Sequence, residues 1–260
     1  MIRHVQRLWR YRELLWTLAL ADLKARHRQT WLGMLWAVLQ PVSMMLVFTI
    51  VFSVFVKVPV QGVPYPLFAF TGLVCWMFFA NSLSYGTVSV VSHMNLVAKA
   101  GFPREVIPLS KLVTVAVDFV AGLAVLVVLL LAYGVPLTSA LLAVPAIVVI
   151  QVMFSVGLIL MGSAFYVLRR DLGNLLPLAL QVWMFLSPVV YPVDVIPAQI
   201  RTLYMLNPMT VLIEAYRSVI LAGTAPPLGS LSAVLIISAG VLGLGYAYFK
   251  AVELRFADVM

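Results

Sequence analysis

Charge is scarce in this sequence. Only 10% of its 260 residues are Asp, Glu, Lys or Arg, whereas a soluble domain carries about a quarter. With 63% apolar residues, a water-soluble globular fold is excluded. Cysteine is nearly absent too. Cys75 stands alone inside an apolar run, so no disulfide can form within the chain and no thiolate metal site can be built. The three histidines, His4, His27 and His93, are scattered, and no H-E-x-x-H pair occurs. G-x-x-x-x-G-K-[ST] is missing, which excludes nucleotide binding through a P-loop. So is the G-x-S-x-G elbow of a serine hydrolase. The apolar runs do not alternate every second residue, which disfavours a membrane barrel. The first 30 residues hold seven Lys/Arg and no simple apolar core, so no cleavable signal peptide is expected.

What remains is long apolar runs. Six are read as membrane spans: Leu32 to Val56, Pro66 to Ser92, Leu109 to Ala132, Leu137 to Val167, Asn174 to Val190 and Leu228 to Phe249. Each reaches or approaches the roughly 20 residues that cross a hydrocarbon core. Pro41 predicts a kink in the first span. The fold class is therefore an all-α membrane protein with six transmembrane helices in one domain, residues 1–260. Fourteen Lys/Arg then fall on the side of the N-terminus and three on the other, which places both termini in the cytoplasm.

The polar segments carry the remaining information. Residues 1–31 interleave arginines and lysine with Trp9, Tyr11, Trp16 and Trp31, while Leu8, Tyr11, Leu15 and Leu18 recur at helical spacing. This reads as an amphipathic helix in the membrane interface. Residues 191–227 contain Tyr191-Pro192, Ile196-Pro197 and Asn207-Pro208. A seventh crossing there would move Lys250 and Arg255 outside, so two re-entrant helices broken at Asn207-Pro208 are expected. Glu214 and Arg217 stand three apart, at the spacing of a helical ion pair.

An engine is hard to find. Asp118 is the one clear acid within a span, with no obvious basic partner at its depth. Gln40, Asn81, Gln151 and Gln181 can glue helices together or line a polar path. Trp76, Phe79, Tyr85, Trp183, Tyr191 and Tyr204 are candidates for a sugar-stacking channel lining, or for core packing and interfacial belts. Asp171, Glu105 and Asp22 are single and far apart, which weakens any reading as a membrane glycosyltransferase. A transport path without a motor needs a grip for one. The polar island at 93–108, with two prolines, a glycine, Lys99, Arg104 and Glu105, is the candidate, and Phe102 its apolar plug.

Three stretches carry a family likeness. They are Lys24 to Pro41, the island from Asn95 to Leu109, and Arg170-Asp171-Leu172-Gly173-Asn174 followed by Ser187 to Pro192 and Leu206-Asn207-Pro208-Met209. In order and spacing, from about residue 14 to 255, the chain resembles the membrane subunits of ABC-2 type exporters. It resembles in particular those moving bacterial O-antigen and other lipid-linked polysaccharides or teichoic acids. A permease for a small drug or other lipid is the nearest alternative. The resemblance implies a multi-pass protein of the bacterial inner (cytoplasmic) membrane, paired with a copy of itself. Two separate ABC ATP-binding subunits would bind ATP and Mg, leaving this chain without cofactor, metal or catalytic residues, and without a nucleic-acid partner. It assigns Asn95, Lys99, Phe102, Pro103, Arg104 and Glu105 to the coupling contact with the ATPase subunit. Lys24, Arg26 and Arg28 would meet a lipid pyrophosphate at the entrance, and the six aromatics would line the channel.

Overall fold

Ten consecutive residues from Leu67 to Trp76 are buried in one helix, whose full extent is Tyr65–Ser92. A helix that is apolar all round belongs at the centre of a bundle. Pro66 sits in its first turn, where a missing N–H is no loss. In chain order the helices are α1 (Arg12–His27), α2 (Trp36–Phe48), α3 (Tyr65–Ser92), α4 (Met94–Lys99) and α5 (Val106–Ala132). They continue as α6 (Val144–Leu168), α7 (Leu172–Phe185), α8 (Ala198–Tyr204), α9 (Pro208–Ile220) and α10 (Leu228–Glu253). The computed structural model describes residues 9–27, 33–60, 62–99 and 101–257, and no strand occurs among them. Helices α2, α5, α6, α7 and α9 all pack on α3.

Among the described residues, five helical stretches are long and apolar enough to cross a membrane: Trp36–Phe55, Tyr65–Ser92, Val106–Ala132, Ser139–Leu168 and Leu228–Glu253. They match five of the six expected spans. Pro41 lies inside α2, and further on, at Thr49–Phe55, the helix loosens to π-type hydrogen bonding. The remaining span, 174–190, takes a different form. Its helix α7 has 14 residues, about 21 Å of rise, and is followed by turns. The 191–227 segment breaks at Asn207-Pro208 as expected, giving the short α8 and the buried α9.

Two cores result. The larger lies within the bundle around α3. A smaller one lies at the end of the bundle that carries α4, and joins Val90, Phe102, Ile107, Val167, Phe249 and Phe256. Tyr11, just before α1, and Leu14, Leu15 and Leu18 of α1 pack against it. Helices α6 and α10 touch backbone to backbone: a Cβ on Gly245 would stand 2.1 Å from the Gly157 carbonyl oxygen. With little hydrophobic drive between helices in lipid, such close approach is what holds them.

Candidate functional site

The polar island folds as α4 and the turn that leads into α5. Asn95 is exposed on α4; the Lys99 side chain lies outside the described residues. Phe102 is only 8% exposed and Pro103 is buried. The Phe102 ring, expected as an apolar plug, is held in the chain's own second core. The Glu105 carboxylate, 3% exposed, accepts from Lys250 Nζ at 2.7 Å, and Lys250 also donates to Glu253 at 2.7 Å. Arg104 donates to the Glu253 backbone carbonyl and lies 5.8 Å from the centre of the Phe256 ring. The island is therefore bolted to the end of α10, more than a hundred residues away in sequence. Lys250 and Glu253 carried no local signal of this, because neither periodicity nor spacing reports a contact at that separation.

The expected entrance residues divide. Lys24 is exposed on α1, and Arg28 lies outside the described residues. Arg26 is committed: Nη1 meets Asp118 Oδ2 at 2.6 Å, and the guanidinium lies 5.4 Å from the Tyr85 ring centre. This corrects the reading of Asp118 as an acid without a basic partner. One helical turn back, Asp22 of α1 accepts from Lys111 of α5. The two pairs have opposite polarity, acid to base and then base to acid, so they fix the register of α1 along α5. Arg26 and Asp118 border a cavity of about 30 Å³, room for one water, whose mainly apolar wall also carries Gln40 and Asn81. Arg26 and Lys111 also border a cleft of about 290 Å³ with Asp22, Tyr85 and Ser89.

The six aromatics form three groups. Trp76, Phe79 and Trp183 pack with Phe154 in one cluster, with Phe79 and Trp183 edge to face at 5.1 Å. Trp76 and Phe79 are buried there, so their faces are used within the chain. Tyr85 is exposed beside Arg26. Tyr191 donates to the Phe185 carbonyl, and the Tyr191 and Tyr204 hydroxyls lie 2.9 Å apart.

Asn207 was legible only as a helix break, yet it is a junction. Its Oδ1 accepts from Trp183 Nε1 at 3.0 Å and caps α9 through the Met209 N–H at 3.1 Å. Its Nδ2 donates to Ser187 Oγ at 2.8 Å. Arg217 is the second anchor of this region, 6% exposed. Nη1 donates to the Pro188 carbonyl at 2.6 Å and to Glu214 at 2.9 Å, the pair expected from their spacing. Nη2 donates to the Val189 carbonyl at 2.8 Å and the Phe68 carbonyl at 3.2 Å, with the guanidinium stacked 3.5 Å from the Phe68 ring centre. Gly72 leaves room for this clasp: a Cβ there would be 2.5 Å from the Val189 oxygen. Gln151 acts as glue, donating to the Cys75 carbonyl at 2.8 Å and accepting from the Tyr216 hydroxyl at 2.8 Å. Among the described residues, no three His, Cys, Asp or Glu side chains come together as a metal site.

The arrangement among the described residues is one of helices fastened to one another by ion pairs, hydrogen bonds and close packing. Known proteins of the same kind exist. The family model for ABC-2 type transporters matches residues 13–221. The O-antigen export system permease protein RfbA of Myxococcus xanthus is 34% identical over 261 residues, covering 99% of each chain. A protein of the same name from Klebsiella pneumoniae is 28% identical over 250 residues, 95% of each. The polysialic acid transport protein KpsM of Escherichia coli is 23% identical over 245 residues, 91% of this chain and 92% of the relative. The apolar helices and this kinship make the protein a multi-pass inner-membrane protein. The chain belongs to the ABC-2 type transporter family.

Proposed function

We propose that this chain is the permease subunit of an ATP-driven exporter that carries a lipid-linked polysaccharide of the O-antigen kind across the inner membrane. One observation carries the reading: 34% identity to an O-antigen export permease along 99% of both chains. Two copies of the chain would flank the path, and two ABC ATP-binding subunits would supply the work. The α4 island would be the place where they push. Its fastening to α10 by Glu105, Lys250 and Phe102 supports this, since a handle must be rigidly attached to what it moves. Helix α1 would gate the entrance, with Lys24, Arg26 and Arg28 near the lipid pyrophosphate. Arginine suits that charge because its planar fork takes two oxygens at once. A pyrophosphate would have to compete with Asp118 for Arg26. One polyprenyl chain can stay in lipid while the glycan crosses, which avoids burying charge in hydrocarbon.

The topology belongs to the same proposal. Residues 174–190, though only partly helical, would make the sixth crossing, and α8 and α9 would enter and leave from the outer side. Both termini would then be cytoplasmic. Cysteines placed at the exposed Val195 and Thr224 should be labelled from outside the cell. Labelling from the cytoplasm alone would overturn the topology.

Function is tested by complementation. A strain lacking its own O-antigen permease receives this chain together with an ABC ATP-binding subunit from the same organism. Surface O-antigen supports the proposal. No glycan export, or export of a capsule polymer or a drug in its place, would reject it.

A further inference from the structure

An apolar crevice of about 580 Å³ runs between α3, α6, α7 and α10. All its walls come from the half of the bundle nearest α4. Leu83 and Thr87 lie toward the end of α3, Phe165 toward the end of α6, and Tyr248 toward the end of α10. Along α7 it extends from Leu172 to Trp183, about 16 Å of rise. That is the depth of one leaflet, half of a roughly 30 Å hydrocarbon core. At its surface end, Phe165 and Leu172 are joined by a turn bearing Arg169 and Arg170, both exposed.

From these features we infer that the crevice holds one acyl chain of an anionic phospholipid, with its phosphate on Arg169 and Arg170. A crevice walled by four helices and one leaflet deep matches the length of an acyl chain. Thr87 is nearly the only polar group in the wall, so water has little to bond to. The paired guanidinium groups select the headgroup. Each basic residue near a membrane surface contributes about fivefold in affinity for anionic lipid. Asp171, exposed beside them, takes part of this back and leaves about tenfold for the pair. Arg170 also reaches the Met94 sulfur of α4 at 3.9 Å, so the bound headgroup sits beside the island.

Trp183 supplies the probe. The full chain is placed in phosphatidylcholine nanodiscs containing either brominated-chain phosphatidylglycerol or brominated-chain phosphatidylcholine. The quenching that disappears in Trp183→Phe isolates the crevice. Phosphatidylglycerol should quench this component at about tenfold lower mole fraction, and salt should erode that preference in the unaltered protein. Arg169→Gln with Arg170→Gln should abolish the preference while leaving chain-dependent quenching. Equal quenching by the two lipids in the unaltered protein would overturn headgroup selection. No quenching of Trp183 by either lipid would mean that protein, such as a second copy, covers the crevice, and would overturn the inference entirely.

Discussion

Arg217 offers the sharpest test of how the region from α7 to α9 is held. Four of its five N–H donors are used, three on backbone carbonyls and one on Glu214. The fifth, on Nε, has no partner among the described residues. Replacing Arg217 by Met keeps an apolar stem but strands the Pro188 and Val189 carbonyls, each a loss of about 1–3 kcal/mol when buried. The Phe68 carbonyl and the stacking on its ring add less. The expected cost is about 4 kcal/mol, which for a chain of this size is about 10 °C in melting temperature. Glu214→Gln should behave differently. The Glu214 side chain is 33% exposed, so water screens its pairing, and its loss should cost under about 1 kcal/mol. Arg217→Lys should resemble Met more than Arg, because one ammonium cannot span three carbonyls held by a planar fork. Thermal unfolding in detergent, followed by tryptophan fluorescence, reads all three. Equal losses for Arg217→Met and Glu214→Gln would mean that Arg217 serves as an ion pair, and the carbonyl clasp would be refuted.

Three further outcomes follow from other contacts. Lys250→Met should destabilise by about 3–5 kcal/mol, because it leaves the buried Glu105 unpaired, whereas Glu253→Gln should cost far less; matched melting shifts would contradict this. Gly245→Ala should loosen the α6–α10 contact and impair folding, while Gly243→Ala, which meets open space, should be silent by the same thermal assay. Asp118→Asn should free Arg26 and let α1 move on α5, at a cost of about 1–2 kcal/mol after screening; an unchanged spin-label distance between α1 and α5 would argue against a register lock.

Much of the fold was legible because lipid imposes simple rules. Long apolar runs reported five of the spanning helices, and Asn207-Pro208 reported the break between α8 and α9. The Glu214–Arg217 pair was visible because helical geometry alone brings residues three apart together. Residues 174–190 misled in detail: their composition suits a span, but the helix stops at Phe185, and turns carry the chain on past Pro188. The contacts that organise the candidate site were hidden for a different reason. Arg26 with Asp118, Glu105 with Lys250, and Trp183 with Asn207 are set by which helices become neighbours. Phe102 shows the same limit, since a lone aromatic in a polar island reads equally as a plug or an anchor until the second core is assembled around it.

The glycine contact between α6 and α10 has a mechanical consequence. It sits near one end of α10, so the helix is a beam with unequal arms. From Gly245 to Lys250 is about 7.5 Å, and from Gly245 back to Leu228 about 25 Å. If α10 tilts as a rigid rod about that point, a displacement imposed at Lys250 emerges roughly threefold larger at Leu228, and in the opposite direction. A sub-ångström push at the island would then reach the far side of the membrane as a movement of one to two ångströms, about the width of a bond. Paired distance measurements at the two ends of α10 would give that ratio directly, and equal displacements in one direction would show the helix sliding instead of pivoting.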